Sequence, residues 1–180
     1  MDERANPEDV DDELERFWVD ARVRAGLNPG RGYAGPNALD SVRPPAWSFG
    51  ANPAEADRLL ELVLSGAKTA TASAASEYEA EGVELPQPDS LSIILDGSGR
   101  PRALVRTVDV QVVPFNEVSA DHAAAEGEDG GTLWGWQQAH LRFFASETGE
   151  FDETMPVVLE RFEVLVPTEL RPGSPRMFGR

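Results

Sequence analysis

Helical and extended patterns follow one another in an uneven order along this chain, and that order constrains its fold more than any other feature. Apolar residues recur at helical spacing over residues 10–25, 52–64 and 133–146, and a shorter helix is expected at 119–125. Extended runs are expected at residues 91–96, 102–115 and 155–166. Because strands and helices do not alternate regularly, the sequence predicts a small mixed β-barrel of the α+β class with an N-terminal helix, rather than a doubly wound parallel sheet.

The helix predicted at residues 52–64 carries clear signals at both ends. Asn52 is a favourable N-cap, Pro53 suits the first helical position, and Gly66 stands where a left-handed residue commonly ends a helix. The segment that follows, residues 67–73, is rich in Thr and Ala and is expected to enter a strand. Three other segments are expected to be irregular: the acidic residues 1–11, the Gly- and Pro-rich residues 28–46 and the tail 168–180. The loop 28–46 either flanks a site or simply tethers the first helix.

Charge and composition exclude several classes of protein. Lys and Arg number 16 against 32 Asp and Glu, and a net charge of −16 argues against broad binding to duplex DNA, which requires many neutralised phosphates. The absence of cysteine excludes disulfides and thiolate metal sites and fits a reducing compartment. No apolar run approaches the roughly 20 residues that span a bilayer, and the acidic start is unlike a secretory signal. We therefore expect a cytoplasmic protein that does not enter a membrane.

Lys68 is the single lysine of the chain, beside 15 arginines. A lysine supplies a compact ammonium that can lose its proton, which arginine cannot do, so Lys68 either marks a functional site or survived by chance. The surrounding segment is not a P-loop, because the glycine spacing differs and a helix precedes the strand. Thr69, Thr71 and Ser73 place hydroxyl nucleophiles close to this amine, although an exposed lysine on a strand is the simpler alternative. In a regular strand Lys68 and Thr71 would face opposite sides, so a catalytic pair requires a turn or bulge between Gly66 and Thr71.

A second candidate group is the acidic segment 122–131, which precedes a glycine-rich turn. One of its carboxylates could orient the Lys68 ammonium, the segment could bind a divalent cation through Glu126, Glu128 and Asp129, or it could be a solvated loop.

A third candidate group is aromatic, and its members are Trp47, Phe49, Trp134, Trp136, His140, Phe143 and Phe144. Such side chains stack on bases or pack in a core, and the tryptophans at 134 and 136 cannot share one helix face, so one of them should lie at a pocket or the surface. Arg106 could contact a phosphate or pair with a carboxylate.

Six short segments together resemble the ASCH domain family over about residues 12–167. They are WSFG at 47–50, LVLSGAKTATAS at 62–73, SEYE at 76–79, VPFNEV at 113–118, AEGE at 125–128 and LWGWQQAHLRFF at 133–144. The resemblance implies a PUA-like β-barrel with surrounding helices and a cleft. It also implies RNA or a modified nucleoside as ligand.

Some small members of the family remove acyl groups from N4 of acetylated cytidine, and longer members are described as ribonucleases. The resemblance places the catalytic set at Lys68, Thr71 and Glu128. Ser73 stands where many members carry an arginine, so another residue such as Arg106 would make that contact.

We expect substrate contacts from Trp47, Phe49, Ser73, Arg106, Trp136 and His140, with no metal and no cofactor. The function expected is an RNA- or nucleoside-directed hydrolase, either an amidohydrolase or a ribonuclease, and the alternative is a non-catalytic RNA-binding module. The sequence carries no signal for an oligomeric state.

Overall fold

The structure is a computed structural model, and it describes residues 7–27, 42–148 and 151–167. The helices are α1 (Pro7–Arg24), α2 (Pro53–Ser65), α3 (Ala75–Glu81), α4 (Ala120–Glu126) and α5 (Leu133–Thr148). The strands are β1 (Ala46–Trp47), β2 (Ala70–Ala74), β3 (Leu91–Leu95), β4 (Pro101–Pro114) and β5 (Pro156–Val166). Short 3-10 turns lie at Phe115–Glu117 and Asp129–Gly131. None of the helices in the described segments has the length and hydrophobicity that crossing a bilayer requires.

The strands form a mixed five-stranded sheet in the order β1-β3-β4-β5-β2. Strand β1 runs parallel to β3, with Ala46 opposite Ile93, and β2 runs antiparallel to β5. The α+β class is therefore confirmed. The closed barrel is not confirmed, because β1 and β2 stand at the two ends of the order among the described strands.

The chain divides into two compact units. The described residues of the first unit fall within Met1–Glu61, Leu91–Val105 and Val164–Arg180, and those of the second fall within Leu62–Ser90 and Arg106–Glu163. The core of the first unit packs one face of α1 against strand residues; it consists of Leu14, Trp18, Ala21, Ala25, Ile93, Leu104, Leu165 and Val166. This confirms the helical stripe predicted at residues 10–25.

The core of the second unit lies on one face of β2 and β5, against α4 and α5. Its buried members are Ala74, Phe115, Val118, Ala123, Trp136, Phe144, Val157 and Leu159, and Ala72 packs against them. Since successive side chains of a strand point to opposite faces, Thr71 and Ser73 lie on the other face of β2.

The expected helix ends are found around α2. Asn52 Oδ1 accepts a hydrogen bond from the Glu55 N–H at 3.0 Å, and Gly66 has a left-handed φ of 78°. Three expectations differ from the structure. The sequence assigned residues 1–11 to an irregular start, but residues 7–11 lie in α1. It assigned Ala46 to the loop 28–46, but Ala46 begins β1, and α3 was not predicted. Helix α3 follows β2 directly, buries none of its residues and has no side-chain N-cap, so it lacks the apolar stripe and the cap that reveal a helix. The expectations for residues 1–6, 28–41 and 168–180 lie outside the described residues.

Candidate functional site

The backbone between Gly66 and Ala70 positions Lys68. The N–H groups of Ala67 and Lys68 both donate to the Leu62 carbonyl, at 2.9 and 3.0 Å, which closes the end of α2. The Thr69 N–H then donates to the Ala125 carbonyl at 2.7 Å, so this residue is tied to the last turn of α4. Strand β2 begins only at Ala70, and Lys68 therefore lies in an irregular corner where strand alternation does not dictate the direction of its side chain.

The Lys68 side chain is buried between two carboxylates. Lys68 is 1% exposed, and its Nζ lies 2.6 Å from Glu128 Oε1 and 3.2 Å from Glu126 Oε2. A buried charge costs several kcal/mol unless it is paired and hydrogen-bonded, so this geometry identifies Lys68 as part of an internal ion cluster. The alternative of an exposed lysine on a strand is wrong.

Glu126 is the centre of this cluster. It is 1% exposed, and its Oε1 accepts hydrogen bonds from Trp136 Nε1 at 2.7 Å and from His122 Nε2 at 3.0 Å. Its Oε2 faces Lys68 and also lies 3.5 Å from His140 Nε2. Burial alone would raise the pKa of the Glu126 carboxyl, but the hydrogen bonds from the two histidines and the charge of Lys68 outweigh it and hold that pKa well below its usual range. Glu126 is thus a permanently ionised anchor near neutral pH.

The helices α4 and α5 supply the donors to Glu126. Ser119 caps α4 by accepting the His122 N–H at 3.1 Å, which orients the turn that carries His122 and Glu126. In α5, the rings of Trp136 and His140 stack with centroids 4.1 Å apart, and His140 Nδ1 donates to the Trp136 carbonyl at 3.1 Å. Both nitrogens of His140 therefore face acceptors, which fixes the ring over the carboxylate.

Gly127 allows the acidic segment to approach the Lys68 corner. Its φ is 67°, and a Cβ at this position would lie 2.4 Å from the carbonyl oxygen of Ala67. No side chain fits there, so the glycine between Glu126 and Glu128 lets both carboxylates reach the same ammonium.

The structure brings Lys68 and Glu128 together, and it places the third member of the expected catalytic set, Thr71, in β2 opposite Glu160. The chain does turn between Gly66 and Ala70, as a catalytic pair requires, but the approach of Thr71 to Lys68 stays a prediction. Ser73 forms a 3.0 Å hydrogen bond with the Tyr78 hydroxyl.

The residues expected to contact substrate have varied surroundings. Arg106 donates from Nε to Glu163 Oε1 at 2.8 Å, so it has the carboxylate partner that the sequence left open. Trp136 is buried and held by Glu126, whereas Trp134 is 72% exposed, which confirms that the two tryptophans diverge. Trp47 and Phe49 belong to the first unit, where their rings meet edge to face at 4.6 Å.

Sequence reasoning underestimated Glu126 and did not assign a role to His122. Glu126 entered only as one of several acidic residues, and the resemblance pointed to Glu128. The signal that could have singled them out is their four-residue spacing in a short helix, which puts His122 and Glu126 on one face. Among the side chains that the structure describes, no three of His, Asp or Glu are arranged to hold a metal ion, and the ammonium of Lys68 lies between Glu126 and Glu128. The side chain of Asp129, the third expected metal ligand, lies outside that description.

Substitution of Gly127 by alanine should destabilise the second unit more than the same change at Gly130. Both glycines have positive φ, so both variants carry similar backbone strain, but only the Cβ at 127 meets backbone atoms, whereas the Cβ at 130 meets none within 4 Å. We expect Gly127→Ala to cost about 1–3 kcal/mol more than Gly130→Ala in urea unfolding. Equal losses would show that the close approach to Ala67 is not required.

Glu126 should make the stability of the protein depend on pH in the acid range. The pKa of Glu126 is lower in the folded state than its ordinary value of 4.5, so its contribution is present above that value and is lost as the pH falls through the folded-state pKa. In Glu126→Gln we expect a loss of about 3–5 kcal/mol at pH 7, because Lys68 loses one of its two carboxylates. The difference in unfolding free energy between the two proteins should shrink as the pH is lowered below about 4.5; a constant difference from pH 7 to pH 3 would contradict the assignment.

Comparisons with known proteins identify the family of this chain. The family model described as ASCH domain matches residues 45–166. A crystal structure of a protein from Enterococcus faecalis V583, assigned to the DUF984 family, has a TM-score of 0.73 at 32% identity and covers 94% of this chain and 99% of that one. An ASCH domain from Lactobacillus crispatus JV V101 has a TM-score of 0.69 at 28% identity and covers 85% of this chain and 94% of the other. The comparison with curated proteins gave no match. With its family match spanning most of the chain, this protein belongs to the ASCH domain family.

Proposed function

We propose that this protein is an RNA- or nucleoside-directed hydrolase, and that it removes the acyl group from N4-acylated cytidine. The observation that carries the proposal is the 2.6 Å contact between Lys68 Nζ and Glu128 Oε1, anchored by the buried Glu126. Buried pairs of an amine and a carboxylate are costly to maintain, and active sites are one setting in which such pairs occur. We further propose that the chain forms a PUA-like barrel with a cleft, that the domain covers residues 12–167, and that the protein is cytoplasmic.

In this reaction Thr71 is the nucleophile and Lys68 is its base. The short contact allows one proton to pass from Lys68 to Glu128, which frees the amine to accept the proton of the Thr71 hydroxyl. The Thr71 oxygen then attacks the acyl carbon, the bond to N4 breaks, and the acyl group passes to Thr71. Water releases it as a free acid. Glu126 stays ionised throughout and balances the charge of Lys68.

The other expected contacts divide into two groups. Ser73 shares a face of β2 with Thr71, so we assign it to the substrate side. Trp136 and His140 contact Glu126, and they act on the substrate through that carboxylate. Arg106 reaches a phosphate only by leaving Glu163. A contact of Trp47 and Phe49 with the substrate stays a prediction.

The test is liquid chromatography of N4-acetylcytidine incubated with the protein and its variants. We expect turnover by the unaltered chain and a loss of roughly 100-fold or more in Thr71→Val, since the nucleophile is removed. Lys68→Met and Glu128→Gln should lose activity to a similar degree. Thr69→Val is the matched control, because it removes a neighbouring hydroxyl that contacts only the Ala125 carbonyl among the described residues, at 3.4 Å.

Full activity in Thr71→Val or Lys68→Met, with the fold verified by circular dichroism, would rule out these roles. Cut RNA strands instead of acetate or another free acid would identify a ribonuclease, in which Lys68 stabilises charge on the phosphate.

A non-catalytic RNA-binding module is the second candidate, and the exposed Trp134 favours it. An indole that is 72% exposed in the first turn of α5 can stack on an unpaired base, and such stacking is worth about 1–3 kcal/mol. If the unaltered chain binds single-stranded RNA, loses affinity in Trp134→Ala and turns over none of the substrates, this function replaces the hydrolase.

A further inference from the structure

The face of β2 and β5 that carries Thr71 also carries two other polar residues, Ser73 and Glu160, next to the buried Val158, which pairs with Ser73. Thr71 pairs directly with Glu160 across the antiparallel strands, and Ser73 lies two residues further along β2. Directly opposite residues in such a pair have their side chains on the same face, with Cβ atoms about 5 Å apart. A substrate that reaches the Thr71 hydroxyl is therefore within reach of the Glu160 carboxyl group.

Glu160 is held by strand β4 and lies near α3. The Thr107 hydroxyl donates to Glu160 Oε1 at 2.6 Å, and Thr107 is itself buried. The charge of Glu160 also acts on Tyr78, whose hydroxyl is bonded to Ser73. Among the described residues Thr107 is the hydrogen-bond partner of this carboxyl group, and it contacts Oε1, so Oε2 is left for a ligand.

The surroundings of Glu160 favour the protonated acid. Burial raises the pKa of Glu160 above its ordinary value and outweighs the hydrogen bond from Thr107. Burial likewise raises the pKa of Tyr78, against the Ser73 hydrogen bond and together with the negative charges of Glu160, Glu77 and Glu81, so the phenol stays neutral. The second unit thus contains one carboxyl group, Glu126, held ionised and another, Glu160, pushed towards the neutral form. Carboxyl groups separated in this way commonly take different roles in acid–base chemistry.

We propose that Glu160 is a further catalytic residue, which donates the proton that the leaving amine needs when the bond between the acyl carbon and N4 breaks. This inference rests on the proposed amidohydrolase function. It also gives Glu128 a single role, as the partner of Lys68, and assigns the leaving group to a carboxyl group on the face that carries Thr71.

The proton balance of the cycle closes with these residues alone. Thr71 loses its proton to Lys68 and bonds to the acyl carbon; the C–N4 bond then breaks, and N4 takes the proton of Glu160. The cytidine leaves. The Glu160 carboxylate next removes a proton from water, the resulting hydroxide attacks the acyl carbon, and Thr71 leaves and regains its proton from Lys68. Glu160 ends protonated and Lys68 unprotonated, as both began this cycle.

The experiment compares Glu160→Gln with the unaltered chain on N4-acetylcytidine and on N4-acetyl-5-fluorocytidine. Glutamine keeps the acceptor for Thr107 and the size of the side chain, but it cannot donate an acidic proton. We expect kcat to fall about 100-fold on N4-acetylcytidine with little change in KM. The loss should be several-fold smaller on the 5-fluoro substrate, because its leaving amine is less basic and depends less on protonation. Glu153→Gln, which changes an exposed carboxyl group outside β2 and β5, is the matched control and should keep its activity.

The outcomes separate this inference from the proposed function. If Thr71→Val is inactive while Glu160→Gln keeps its kcat, the hydrolase stands and the role of Glu160 is overturned. If Glu160→Gln changes only KM, Glu160 is a binding contact and the proton-donor role is likewise overturned. If the unaltered chain hydrolyses neither compound, the proposed function fails, and the inference about Glu160 fails with it.

Discussion

The rest of the candidate site depends on one interaction, the burial of the Lys68 ammonium between Glu126 and Glu128. A buried charge is stable only where its partners are fixed. The Lys68 ammonium is buried, and its partner Glu126 is held by four donors, which are Lys68 itself, His122, Trp136 and His140. Those donors come from the corner after α2, from α4 and from α5, so a single carboxylate joins three segments that are distant in sequence. Gly127, which has a left-handed backbone, lets this acidic segment come close to the Lys68 corner, because any side chain at this position would collide with the Ala67 carbonyl.

The second unit holds two carboxyl groups in opposite environments. Hydrogen bonds and a cation lower the pKa of Glu126, while on the face of β2 and β5 that carries Thr71 burial raises the pKa of Glu160. The β2–β5 pairing keeps the apolar residues Ala72 and Leu159 on the core face and leaves Thr71 and Glu160 on the other. A site with one fixed anion and one proton donor suits a reaction that must both activate a nucleophile and protonate a leaving group.

Much of this architecture could be predicted from the sequence, because its signals are local. The stripe in α1, the Asn52 cap and Gly66 each follow from the spacing and conformational preferences of a few neighbouring residues. Helix α3 was not predicted because it buries none of its residues and so carries no apolar stripe. The sequence also showed that Lys68 is unusual, and the resemblance supplied Glu128. The sequence did not reveal that Glu126 is the anchor of the cluster. That role arises because the fold brings Trp136 and His140, which lie 10 and 14 residues further along the chain, to the Glu126 carboxylate. The closed barrel depends equally on long-range pairing, and the strand order does not confirm it.

The presence of a single lysine allows the central claim to be tested directly. In protein labelled with ¹⁵N only at lysine side chains, nuclear magnetic resonance reports on Lys68 alone. A buried ammonium held by two carboxylates exchanges its protons slowly with water, so we expect a sharp, long-lived Nζ signal at neutral pH that broadens or disappears in Glu126→Gln. A signal lost to rapid exchange in the unaltered chain, as for a lysine exposed to solvent, would contradict the buried ion cluster and everything derived from it.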